Sequence, residues 1–359
     1  MARTKAGMPK TAVPQLAGAQ YILPLKWSDD AGLESLCAYL NQLVQWIPVL
    51  VVDGSPAALF AAHEQAFPSA VRHCRPRSMG YGNGKVEGVL TGVQLSAREY
   101  LVLADDDVRY TRTGLERAVA LLADADVVRP QNYFPAPLPW HARWDTARTL
   151  INRAFRSDYP GTLAVRRSTL LDAGGYSGDV LFENLELLRT IRAAGGREVR
   201  ADDLFVSRVP CSVPHFRRQR VRQAYDDFAQ PARLAAEAAL LPVILLSLRQ
   251  PARLAMLAAA SILVAEAGRR RAEGTRVFMA DAAFWAPLWV LERAVGVWLA
   301  AGWRIRGGIP YAGIRLRTAG HSVRRLRRAG TAHVSIFSGE GVGEDARKRM
   351  RVVTAICSA

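Results

Sequence analysis

Between residues 21 and about 205, short apolar runs alternate with stretches whose apolar positions recur every three or four residues. "YILPL" precedes the amphipathic "GLESLCAYLNQLVQWI", and "PVLVVDGS" precedes "AALFAAHEQAF". "GNGKVEGVLTGVQLS" reads as a glycine-rich turn entering a helix, "EYLVLA" as a strand and "TGLERAVALLADA" as a helix capped by Thr111 or Thr113. "DVVRPQNYF" and "GTLAVRR" add strand-like segments, and "STLLDAGGY" reads as a short helix capped by Ser168 and stopped by Gly-Gly. Near-continuous apolar strands such as "PVLVV" suit a sheet covered on both faces. This β-α alternation predicts an α/β domain built on a mostly parallel sheet flanked by helices. Ligands in such sheets gather at the carboxyl ends of strands, where Asp53 and the triplet Asp105-Asp106-Asp107 fall.

The pattern changes twice further on. Residues 206–233 are dense in arginine, as in "HFRRQRVRQAYDDF". Residues 234–303 turn aliphatic, and a basic, glycine-containing stretch follows. These shifts divide the chain into a flexible N-terminus (1–19), a catalytic-type α/β domain (20–233), an apolar helical, membrane-associated region (234–303) and a basic tail (304–359).

Composition sharpens this division. Of the 359 residues 50% are apolar, and mean hydropathy is +0.01, so membrane contact is a real option. The net charge of +16 would suit nucleic acid, an anionic membrane or a phosphorylated substrate. More than half of it lies beyond Trp303, and aromatic residues do not interleave with the basic runs as a nucleic-acid platform requires. No nucleic-acid partner is therefore expected. The four cysteines (Cys37, Cys74, Cys211, Cys357) form no CxxC pair, which argues against a zinc cluster or disulfide framework.

The acidic triplet carries the chemistry. Three adjacent carboxylates at a strand end repel one another and lose hydration unless something cationic compensates. Carboxylates separated by one residue can reach the same cation, and hard oxygen ligands suit Mg²⁺ or Mn²⁺. Such an ion could bridge a nucleotide diphosphate and stabilise it as a leaving group.

Seven stretches, "YILPLKW", "VLVVDGS", "GNGKVEGVLTG", "LVLADDDV", "GTLAVRRSTLLDAGGY", "LFENLELLRTIRAAGG" and "RRQRVRQAYDDF", occur in the order and rough spacing of family 2 glycosyltransferases of the GT-A fold. The chain resembles that family over about residues 20–230, and is similar to members with a membrane-associated C-terminal region. The resemblance implies a nucleoside-diphosphate-sugar donor and a lipid or glycan acceptor. It implies that Asp53 contacts the nucleoside base and that Lys85 approaches the uracil, ribose or diphosphate. Asp105 and Asp107 match the DxD pair, with Asp105 nearer the ribose and Asp107 on the metal; His215 is placed to add a metal ligand. Asp106 is expected to face away or cap the helix. Gln219 and Arg222 match the Q-x-x-R-W motif at the donor site, with Gln223 in place of tryptophan.

The sequence departs from the family at the general base. The expected aspartate is Asn184, whose amide cannot take up a proton near neutral pH. Glu183 is the favoured base, Glu186 fixes the helix or contacts the acceptor, and Asp179 is the reserve. A retaining reaction would need no such base. The basic connectors "GRRRAEGTR" and Trp303–Arg317 favour helices lying on a membrane over a spanning hairpin, with the catalytic domain facing the cytoplasm. Two other readings compete: a basic membrane- or nucleic-acid-binding protein with a non-catalytic domain of this shape, and a nucleotidyltransferase. "YILPLKWSDD" lacks the glycine-rich opening loop of the latter.

Overall fold

A computed structural model describes residues 14–330; the expected flexible N-terminus (residues 1–13 of it) and residues 331–359 of the expected tail lie outside the described residues. Strands β1 (Ala19–Leu25), β2 (Val49–Asp53), β3 (Arg72–Cys74) and β4 (Tyr100–Ala104) are followed by the short β5 (Val108–Arg109), then β6 (Val127–Tyr133), β7 (Thr162–Arg166) and β8 (Glu198–Arg208). They form one eight-stranded sheet in the order β3-β2-β1-β4-β7-β6-β8-β5. It is mostly parallel, as expected. β7 runs antiparallel to both β4 and β6, and β5 runs antiparallel to β8.

Helices α1 (Leu33–Leu43), α2 (Ala57–Ala66), α3 (Gly84–Leu95), α4 (Arg112–Ala120), α5 (Trp140–Ala154), α6 (Arg167–Asp172) and α7 (Glu183–Ala193) complete the α/β domain. Period-two alternation along β1 sends Tyr21 and Leu23 into one core and Ile22 into another. The first core packs Leu36, Leu40 and Leu43 of α1 with Leu115 and Val119 of α4. The second packs Val86, Leu90 and Val93 of α3 with Leu187, Leu188 and Ile191 of α7. Each buried Leu or Ile contributes roughly 1.5–3 kcal/mol relative to exposure. The three layers hold the carboxyl ends of β1, β2 and β4 rigidly at one edge. Thr111 caps α4, its side chain accepting from Gly114 N at 3.1 Å. Ser168 is no cap: it lies inside α6, and its hydroxyl binds Glu99.

Beyond the sheet, α8 (Val213–Tyr225) carries the arginine-rich segment, and α9 (Pro231–Ser247), α10 (Pro251–Arg270) and α11 (Ala286–Ile305) form the C-terminal helical region. Its helices are docked onto the α/β domain through α5, with Ala147 and Leu150 packed among Ala265, Phe278 and Trp289. The stretch after Trp303 is not simply a tail. A hairpin of β9 (Ile309–Tyr311) and β10 (Ile314–Leu316) folds back, and α12 (Val323–Gly330) follows it. Leu181 N and Phe182 N donate to Thr318 O and Ala319 O at 3.0 and 2.9 Å, so this return segment is stitched to the start of α7.

Candidate active site

The triplet begins where β4 ends, and each carboxylate has its own partner. Asp105 N donates to Gly161 O at 2.9 Å, and Asp105 Oδ1 lies 2.5 Å from Lys85 Nζ. A Cβ at position 161 would stand 2.6 Å from Asp105 Oδ2, so the glycine leaves that carboxylate its space. Asp106 accepts from the indole of Trp27, and neither it nor Asp107 lines the cavity described below. Asp107 is gripped by Arg208: Nε lies 3.0 Å from both carboxylate oxygens and Nη2 lies 2.6 Å from Oδ2. The β5–β8 register, which pairs Val108 with Arg208, sets that contact. Burial and the neighbouring Asp105 push the Asp107 carboxyl up, against the pull of Arg208.

Lys85 joins distant segments. Asn83 caps α3, and Lys85 in its first turn reaches Glu183 Oε1, at the start of α7, at 2.5 Å as well as Asp105. Burial would lower the ammonium's pKa, but the two carboxylates outweigh it and hold it well above the ordinary lysine range.

Beside this cluster opens a cavity of about 210 Å³ lined by Asp105, Glu183, Asn184, Gln219, Arg222 and Asp226, among others. Arg222 lies over the ring of Tyr311 with its guanidinium carbon 4.6 Å from the centroid, and its buried Nε has no hydrogen-bond partner. Tyr311 in turn donates to Asn83 Oδ1 at 3.0 Å, so the β9–β10 hairpin is tied to the start of α3 beside the site. Asn184 donates to Pro160 O at 3.0 Å. Burial, reinforced by the charge of Glu183, pushes the Asp226 carboxyl up to about 7.

Several expectations change here. Asp53 ends β2 as expected, yet it is fully buried and does not line the cavity. Its Oδ2 meets His63 Nδ1 at 2.6 Å and His73 Nε2 at 3.1 Å, and its Oδ1 accepts from Ser55 N at 2.8 Å. With both oxygens engaged it shapes the β2 end from below instead of presenting a free carboxylate. Of the two roles expected for Glu186, the contacts match the fixing of the helix: it is fully buried, its Oε2 accepting from His321 N at 2.7 Å and its Oε1 lying 2.6 Å from His321 Nδ1. It fastens α7 to the return segment and does not reach the cavity. Asp179 accepts from Gly82 N at 3.1 Å, also outside the cavity. His215 is exposed and its Nε2 is against Gln219 Nε2; among the described residues no three His, Cys, Asp or Glu side chains gather as a metal site, so the set Asp105, Asp107 and His215 is not assembled. Burial and the neighbouring Arg218 and Arg222 lower the His215 pKa. Sequence reasoning missed Arg208, Asp226 and Tyr311. The doublet "DD" directly after "QRVRQAY" was the one local signal, for Asp226.

No family model matches the chain, and no curated protein matches it. Among solved structures it is similar to a mannosyltransferase from Pyrobaculum calidifontis in complex with GDP-Man and Mn²⁺, at 16% identity and a TM-score of 0.47 over 81% of this chain and 90% of that one. It is also similar to glucosyl-3-phosphoglycerate synthase from Mycobacterium tuberculosis in complex with Mn²⁺, UDP and phosphoglyceric acid, at 16% identity and a TM-score of 0.38 over 55% and 72% of the two chains. GalNAc-T7 with UDP, GalNAc and Mn²⁺ matches at 12% identity and a TM-score of 0.39, over 54% of this chain and 44% of that one.

Proposed function

We propose that the chain is a GT-A-type glycosyltransferase that moves a sugar from a nucleoside-diphosphate donor to a lipid or glycan acceptor at a membrane surface, with inversion. The observation that carries this reading is the convergence of Asp105, Lys85 and Glu183 beside one cavity with Gln219 and Arg222. These residues come from four separate segments of the chain, and the strand-end position is where α/β sheets hold ligands.

Asp105 and Asp107 fit a Mg²⁺ or Mn²⁺ ion. Their oxygens are hard donors, and Asp105, Asp107 and Glu183 outnumber the cations Lys85 and Arg208 that face them. Magnesium is commonly held by one or two carboxylates together with substrate phosphates, so a cage of three protein ligands is not required. When bound, the ion would supply charge stabilisation to the departing diphosphate. The chain's own contribution is positioning and charge. Arg222 offers an unpartnered buried N–H toward anionic oxygens, and the Tyr311 ring fixes its plane. Lys85 holds Asp105 and Glu183 at fixed spacing.

The C-terminal helices support membrane attachment. Leu246, Leu263, Trp298 and Ile305 are exposed at 76%, 69%, 51% and 87%, and arginines such as Arg249, Arg253 and Arg276 flank them. The segment Pro251–Arg276 is long and apolar enough to cross a membrane by length and composition. Gly268 in that segment packs directly on the backbone of α5 at Leu150, which supports helices lying on a membrane face over a span.

Thermal unfolding with UDP or GDP, with and without Mn²⁺, tests the reading. One of the two at about a hundred times its Kd should add roughly 2.7 kcal/mol of stability, and more weakly without the metal. Absence of any shift with either nucleotide would remove the donor site.

A further inference from the structure

The cavity wall carries four carboxylates, and three are neutralised by contact with a cation. Asp105 and Glu183 share Lys85 at 2.5 Å. Asp227 lies 2.9 Å from both Arg233 and Arg293. Asp226 is different. It makes no ion pair among the described residues, and its buried Oδ1 has no hydrogen-bond partner although it lines the cavity. Buried polar atoms are nearly always satisfied, and an unsatisfied carboxylate oxygen at a cavity wall is costly unless a ligand completes it.

Charged groups face Asp226 from every side. Glu183 on α7 disfavours its anion, while Arg222 on α8, Arg293 on α11 and Arg148 on α5 favour it from beyond contact distance. Burial, with Glu183 acting in the same direction, outweighs the three arginines. Glu183, fastened to Lys85, has its Oε1 committed, and Asn184 beside it has no proton affinity to offer.

We propose that Asp226 is the general base of the transfer, an inference that rests on the glycosyltransferase reading. Its carboxylate takes the proton of the acceptor hydroxyl as that oxygen attacks the anomeric carbon of the donor. The bond from that carbon to the diphosphate oxygen breaks, and its electron pair leaves with the diphosphate. One glycosidic bond forms, one glycosyl-phosphate bond breaks, and the proton resides on Asp226 until the open cavity returns it to water. Glu183 is then a positioning residue that holds Lys85. A carboxyl poised at about 7 is matched to proton abstraction near neutral pH.

The test combines rates between about pH 5.5 and 9 with nucleotide binding by thermal shift, for the full-length wild type, Asp226→Asn and Asp226→Glu. Wild-type kcat/KM should fall with acid below about pH 7. Asp226→Asn should lose roughly 10²–10⁴-fold in kcat while its UDP- or GDP-induced shift stays unchanged. Asp226→Glu should recover part of the rate and keep an acid limb with a moved midpoint. An Asp226→Asn rate within tenfold of wild type, or an Asp226→Asn loss of nucleotide binding equal to its loss of rate, overturns the assignment. Wild type that turns over no nucleotide sugar overturns instead the reading beneath it.

Discussion

Arg293 is a sharp place to test how the helical region is joined to the α/β domain. It is 1% exposed on α11, with Nη1 2.9 Å from Asp227 Oδ2 and Nε 3.6 Å from Glu237 Oε2 on α9. Arg233 serves the same two carboxylates at 2.9 and 2.8 Å. Arg293→Met keeps most of the side-chain volume and leaves two buried anions with one cation. At an effective dielectric of about 20, contacts at 2.9 and 3.6 Å amount to roughly 6 and 5 kcal/mol. Lost repulsion from Arg233 and the regained hydration of the arginine cancel much of that. Breaking one partner of a buried pair typically costs about 3–5 kcal/mol, so we expect about 4. For a chain of this size that lowers Tm by about 5 °C. Urea unfolding followed by tryptophan fluorescence reads the difference.

The deficit should also depend on pH. Burial already pushes the Asp227 carboxyl up, and loss of Arg293 removes a charge that lowers it. A carboxyl whose folded pKa exceeds its unfolded value near 4 binds more protons when folded, so stability falls as pH rises through that window. The variant should therefore be closer to wild type at about pH 5 than at about pH 8. Adding Asp227→Asn should restore more than half of the loss, because Arg233 and Glu237 then remain as a matched pair. A single variant within about 1 kcal/mol of wild type at both pH values would refute the reasoning.

Other outcomes follow from the same geometry. Gly268→Ala places a Cβ 1.8 Å from the Leu150 carbonyl oxygen, a backbone atom that cannot step aside, so α10 should separate from α5 at a cost of at least about 3 kcal/mol, read by urea unfolding. Burial alone would raise the Asp53 pKa, but His73, His63 and Ser55 more than offset it and hold the carboxyl well below its usual range. The stabilisation from that depressed value is present above about pH 4 and lost as pH falls further; Asp53→Asn should flatten the acid side of the stability profile. Replacing Leu246, Leu263 and Trp298 together by Ser should abolish co-flotation with anionic vesicles while leaving nucleotide-induced stabilisation intact.

The central strands were legible because they are apolar on both faces, and "EYLVLA" and "PVLVV" needed no tertiary information; β3 (Arg72–Cys74) and β8 (Glu198–Arg208), polar and partly exposed, were not. The site was legible only in part. The position of Asp105 follows from the strand end alone, and so does that of Lys85 at the mouth of α3. Their shared contact with Glu183 depends on how α7 enters the sheet. Glu183 and Glu186 sit three residues apart, and the partner that separates them, His321, comes more than a hundred residues later. Asp53 was placed correctly at the end of β2, but its burial was hidden for a similar reason, since His63 and His73 become its partners only when α2 and β3 pack beneath it. The basic run after Trp303 carries the composition of a solvated tail, but Ile309 and Leu316 supply the apolar contacts that fold its first part against the site. Local composition could not reveal that pairing.

The most direct measurement is the release of nucleoside diphosphate from a panel of UDP- and GDP-sugars, in the presence of anionic vesicles and Mn²⁺, by wild type and by Asp107→Ala. Our account predicts turnover of at least one donor, loss of that turnover with EDTA, and a drop of at least about a hundredfold in Asp107→Ala with the fold intact by circular dichroism. Turnover of no donor by wild type, or an Asp107→Ala rate equal to wild type, would contradict it.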